Sequence, residues 1–112
     1  MSLIYKILER SAWLAAKAAG EFAGSGIDLV DGYIHFSTRD QVSETARRHF
    51  AGQTGLVTLE IEGDDLGPDL VWEPSRGGDL FPHLYGRLAV DRVLTVRETP
   101  LDAAGIPIVE ID

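Results

Sequence analysis

From residue 56 onward the chain reads as strand after strand with no helix pattern between them. That order constrains the fold more than any other feature. The run Leu-Val-Thr-Leu-Glu-Ile-Glu at 56–62 is the clearest case. Leu56, Thr58, Glu60 and Glu62 fall on one side of an extended chain, and Val57, Leu59 and Ile61 on the other. This is the period of two that a strand requires, and the second side is expected to face the core. Residues 63–68 read as a turn or single helical turn, 69–73 as a short strand, and 74–79 as a loop with adjacent glycines, Gly77 and Gly78. A strand over 80–90 carries Pro82 near its start, which implies an edge or a bulge because proline has no N–H to give to a ladder. A strand over 93–96, a turn over 100–105 and a segment over 106–111 expected to close the sheet complete this half.

The first half reads differently. Leu-Ile-Tyr-Lys-Ile-Leu at 3–8 is rich in strand formers and is expected to anchor inside a sheet. Ser11 is placed to cap a helix over 12–19, with Gly20 as its stop and Trp13 on its core side. Residues 21–30 read as an irregular connection, since Gly24, Ser25 and Gly26 break any period. Asp31 and Gly32 turn into a strand over 33–38, where Tyr33, His35 and Ser37 alternate with Ile34, Phe36 and Thr38. Thr38 is placed as the N-cap of a helix over about 39–51, with Gln41 in the capping-box position, Gly52 as the stop, and Val42, Ala46, His49 and Phe50 as its apolar face. A strand that hands over to a helix start offers free backbone N–H groups and a positive dipole end. Two helices in the N-terminal half followed by strands argue for one α+β domain with a mostly antiparallel split sheet.

Composition narrows the function. The 112 residues are enough for one domain, and no repeat or long linker divides them. The absence of cysteine excludes a disulfide framework, a thiolate metal site and a cysteine nucleophile. No apolar run approaches the roughly 18 residues of a membrane span, and no signal-peptide core follows Lys6 and Arg10, so a cytoplasmic protein is expected. The net charge of −8 disfavours nucleic-acid backbone binding, though it leaves room for a small basic pocket.

The residues that can carry chemistry are few. His35 lies two positions before Ser37; His83 and Tyr85 share a strand face; Glu73 and Arg76 flank the Gly77–Gly78 loop; Lys6 lies in the first strand. Nucleophilic catalysis by Ser37 with a histidine base lacks a Gly-x-Ser-x-Gly elbow. A metal held by His35, His83 and Glu73 has suitable ligand types but no short ligand spacing, and no metal is assigned. A polar cleft for a small molecule carrying phosphate or ribose uses more of these residues. There His35, Ser37 and Tyr85 exchange hydrogen bonds, Arg76 clamps an anion, and the helix start at Thr38 adds backbone donors. The competing structural reading has both histidines simply satisfying buried partners.

Four segments carry a family resemblance: Ile-Tyr-Lys-Ile-Leu at 4–8, Asp-Gly-Tyr-Ile-His-Phe-Ser-Thr at 31–38, Trp-Glu-Pro-Ser-Arg-Gly-Gly at 72–78 and Phe-Pro-His-Leu-Tyr-Gly at 81–86. Over nearly its whole length the chain resembles the domain of unknown function 952 family, which is mostly bacterial and carries no assigned activity. The resemblance implies a fold similar to that of the ADP-ribosyltransferases, which hold a nicotinamide dinucleotide between three strand positions. These positions fall on Lys6, His35 and His83. Lys6 stands where those enzymes have His or Arg, and His83 where they have Glu, so the fold resemblance does not bring the activity with it. Glu73 is the carboxylate nearest in sequence. The resemblance therefore implies NAD or an ADP-ribose-containing ligand, with His35 orienting it, His83 as acid or base and Arg76 on a phosphate. A small-ligand or protein-binding module without catalysis and a metal-dependent hydrolase are the alternatives.

Overall fold

The computed structural model describes residues 1–111, and of Arg76 the backbone only. The chain runs β1 (Leu3–Glu9), α1 (Arg10–Ala19), β2 (Glu21–Phe22), α2 (Ile27–Asp31), β3 (Ile34–His35), β4 (Ser37–Thr38), α3 (Val42–His49), β5 (Leu56–Glu62), β6 (Leu70–Pro74), β7 (Leu80–Leu84), β8 (Leu88–Ala89) and β9 (Val93–Thr99). Short 3-10 turns at Gly63–Asp69, Arg76–Gly78 and Val90–Arg92 join the later strands. Every strand pairing is antiparallel, in three sheets ordered β4-β1-β5-β9, β3-β7-β6 and β2-β8. The chain is therefore an α+β domain built on antiparallel sheets.

β1 lies inside the main sheet and pairs with β5 along its whole length, from Leu3 opposite Glu62 to Glu9 opposite Leu56. Alternation then assigns two faces. Ile4 and Leu8 join Val57, Leu59 and Ile61, which pack against Trp13 of α1 and against Ile34 and Leu84 of the second sheet. Tyr5 and Ile7 join Leu56 on the other face, beneath Val42 and Ala46 of α3. The side of β5 assigned to the core from sequence is in the core. Leu56 and Thr58 on its opposite side are buried as well, because α3 covers that end of the sheet. Lys6 shares the Ile4–Leu8 face, so a cation points into an apolar layer and needs a buried partner.

Several local expectations are corrected. Ser11 does not cap α1. The β1 ladder runs to Glu9, the helix starts at once, and the Arg10 N–H donates to the Gly55 carbonyl at 2.8 Å. Thr38 is a strand residue opposite Ile4, and α3 begins only at Val42 and ends at His49, which is exposed. One half of the capping box survives: Gln41 Oε1 accepts from the Thr38 N–H at 3.0 Å, while Gln41 Nε2 donates to the Leu80 carbonyl at 2.8 Å. The strand expected over 33–38 is split at Phe36. Its N–H still reaches the Pro82 carbonyl of β7, but Ser37 and Thr38 have moved to β1. Pro82 sits in the middle strand of its sheet, opposite Trp72. Its carbonyl, and so its missing N–H, faces the side where β3 has already ended. The segment 80–90 breaks after Leu84, and β8 leaves to pair with β2. Residues 106–111 form no strand. Pro107 makes an isolated bridge to Leu101, and Val109 and Ile111 cover the α3 side of the core.

The helix α2 has no counterpart in the sequence reading. Its pattern is inverted: Asp28 is its buried residue, while Ile27, Leu29 and Val30 are 61%, 67% and 80% exposed. Gly32, at φ 83°, supplies the left-handed residue that ends it, and its N–H closes on the Asp28 carbonyl at 2.9 Å.

Candidate functional site

Strand alternation builds the site. His35 of β3 lies opposite His83 of β7, and Val71 of β6 lies opposite His83 on the other side. Residues two positions away share that sheet face. Tyr33 therefore joins His35, Glu73 joins Val71, and Tyr85 joins His83. The four rings form one cluster. Tyr33 stacks on His83 with centroids 4.2 Å apart, and lies 4.5 Å from His35 and 5.1 Å from Tyr85. The two histidines meet edge to face at 5.4 Å.

Two hydrogen-bond systems hold this cluster. In the first, Asp28 reaches in from α2. Lys6 Nζ contacts its two oxygens at 2.9 and 2.8 Å, His35 Nδ1 lies 2.7 Å from Oδ1, and the His35 and Ser25 N–H groups donate to it at 3.0 and 3.1 Å. Burial favours the neutral Asp28 carboxyl. The bonds from His35 and the charge and bond of Lys6 favour the carboxylate more strongly and bring it down to about 2. Burial draws Lys6 down from its ordinary value, and Asp28 only partly restores it. The other nitrogen of His35, Nε2, lies 2.9 Å from Asp31 Oδ2. Ionised carboxylates only accept, so a ring that satisfies both contacts donates from both nitrogens.

In the second system Glu73 Oε1 accepts from the Tyr85 hydroxyl at 2.7 Å and lies 2.8 Å from His83 Nδ1. The hydrogen bonds from Tyr85 and then His83 hold the Glu73 carboxyl below its ordinary value, against its partial burial. The same bond pushes the Tyr85 phenol up to about 12. Tyr33 is raised by burial and by the charges of Asp31 and Glu73. With an ionised Glu73 on Nδ1, His83 donates there and leaves a lone pair on Nε2. That nitrogen has no hydrogen-bond partner among the described residues. The residue as a whole is only 4% exposed.

Of the residues singled out from sequence, Lys6, His35, Glu73, His83 and Tyr85 are brought together. Ser37 and Thr38 are not. After the switch at Phe36, Ser37 points to the α3 side and its hydroxyl bonds Thr45 Oγ1 at 2.8 Å. Thr38 lines a separate open depression with Arg39, Asp40 and Trp72. The Arg76 side chain lies outside the described residues. Asp28, Asp31 and Tyr33 were missed. Tyr33 was legible from its alternation with His35. Asp28 lay in a segment read as irregular, and Asp31 was read only as part of a turn. His35, Asp31 and Glu73 keep 28%, 35% and 35% of their side chains exposed. Among the described residues no three histidine or acidic side chains converge to hold a metal ion.

The defining pattern of the family described as protein of unknown function (DUF952) matches residues 7–96. The chain belongs to the DUF952 family. It is similar to protein CC0527 from Caulobacter crescentus. The crystal structure of that protein is 53% identical, with a TM-score of 0.94 over 96% of this chain and 94% of that one. Its solution NMR structure gives 54% identity and a TM-score of 0.85 over 96% and 92%. No curated protein matches the chain. For this DUF952 chain, no helix among the described residues is long and apolar enough to cross a membrane.

Proposed function

We propose that the face formed by Tyr33, His35, Glu73, His83 and Tyr85 binds a small ligand and that His83 acts there as acid or base. The observation that carries this reading is the Glu73–His83 pair: Nδ1 is held on a carboxylate at 2.8 Å and Tyr33 stacks on the ring, while Nε2 has no hydrogen-bond partner among the described residues. A carboxylate that fixes one ring nitrogen orients the other for proton transfer. The reaction class we assign is transfer or hydrolysis at a nucleotide-linked ribose, on a fold resembling the ADP-ribosyltransferases. Support comes from the strand positions that this resemblance singles out. Lys6 and His35 share Asp28, and His35 touches His83. Glu73, bonded to His83, supplies a carboxylate at the third position. His35 orients the ligand, and a phosphate end of the ligand depends on Arg76.

A second reading is a binding module without catalysis. It is favoured by His35, whose two ring nitrogens are both engaged by carboxylates. Thermal unfolding with NAD or ADP-ribose tests both. Protection that His83→Ala abolishes, together with consumption of NAD, supports the enzyme. Protection without turnover supports the module, and no shift with either nucleotide contradicts the nucleotide reading.

A further inference from the structure

The charge balance around the rings identifies the kind of ligand group that fits them. Three carboxylates, Asp28, Asp31 and Glu73, face three basic groups, Lys6, His35 and His83. Each of the three is engaged by a carboxylate. Lys6 has 8% of its side chain exposed and lies on both oxygens of Asp28, and His35 lies between Asp28 and Asp31. No described cation on this face is left for an incoming anion. The acidic side is open by contrast. Among the described residues, Glu73 makes two hydrogen bonds, both through Oε1, and Asp31 makes one, through Oδ2. Beside them lie the Tyr33 ring and the 44% exposed Tyr85, whose hydroxyl is fixed on Glu73. An aromatic face next to an unshared carboxylate oxygen attracts a weakly hydrated cation through the ring quadrupole and the charge together. The nine-tenths-buried His83, whose Nε2 has no partner among the described residues, lies in the same cluster and marks the spot as more than a solvated acidic edge.

We infer that the group docking on the Tyr33–Tyr85–Glu73 face is an organic cation, a quaternary or protonated amine. The inference rests on the site proposed above but not on its ribose chemistry. Nuclear magnetic resonance titration of the full chain with tetramethylammonium, and with tert-butanol as its neutral counterpart of similar shape, tests it. Tetramethylammonium is expected to shift the Tyr33, Tyr85 and His83 signals at a concentration about tenfold below that of tert-butanol, as a cation–π contact at a part-exposed site allows. Glu73→Gln and Asp31→Asn, which keep shape and remove charge, each reduce that preference. Equal binding of the two probes, or no shift with the cation, overturns the inference, even where ADP-ribose protects the protein and the nucleotide reading stands. Cation binding without nucleotide protection upholds the inference and removes the nucleotide reading.

Discussion

The two histidines of the site sit 5.4 Å apart on neighbouring strands, yet their surroundings assign them opposite tasks. His35 has carboxylates on both ring nitrogens, one of them the buried Asp28 that also holds Lys6. His83 has one carboxylate, Glu73, and among the described residues no partner on Nε2. The first arrangement locks a helix onto two strands; the second leaves a basic nitrogen without a partner among the described residues. A histidine in a sequence motif therefore says little until the number of its partners is known.

The largest expected effect is on the locked side. Asp28→Ala leaves Lys6 buried and unpaired, and breaking a buried ion pair costs about 3–5 kcal/mol. Denaturant unfolding should show that loss, with α2 released first. An unchanged midpoint would show that the lock does not hold the fold. On the other side, His83→Ala is expected to lower turnover by about 10²–10⁴, the span of general acid–base catalysis, beside the stability lost with a buried ring. Kinetics beside a melting curve separate the two quantities.

The acid limb of stability sharpens the same contrast. Asp28 sits at about 2 in the folded chain against an ordinary 3.8, so its contribution is complete above the unfolded value and is lost as pH falls through the folded one. That shift corresponds to about 2 kcal/mol, lost between about pH 4 and pH 2. In Asp28→Asn this part of the pH dependence should vanish. If it persists, another carboxylate carries it. The smallest effect belongs to Ser37→Ala. Its bond to Thr45 contributes about 1 kcal/mol, and ligand binding should not change, because the residue lies on the α3 side of the sheet.

These differences also show what the sequence could and could not reveal. Alternation located β5 and its core side, and spacing correctly put His83 and Tyr85 on one face, since a period of two is local information. The break at Phe36 was invisible. Tyr33 to Thr38 alternate without interruption, and only the competition between β7 and β1 for pairing separates His35 from Ser37. Asp28 was invisible for a different reason. Its helix is apolar outward and acidic inward, the reverse of the pattern by which helices are recognised, because a buried lysine on β1 requires a buried acid. Glu73 had been singled out, but its reach to His83 needed the β6–β7 register.

The central claim is that His83 is oriented by Glu73 with its Nε2 free, while His35 is held at both nitrogens. A tautomer-sensitive nitrogen-15 spectrum of the imidazole rings tests this most directly. The account predicts that His83 is hydrogen-bonded through Nδ1 and not through Nε2, that His35 is hydrogen-bonded through both nitrogens, and that Glu73→Gln disturbs only His83. A His83 ring protonated on Nε2 with a bare Nδ1, or one that does not respond to Glu73→Gln, would contradict it.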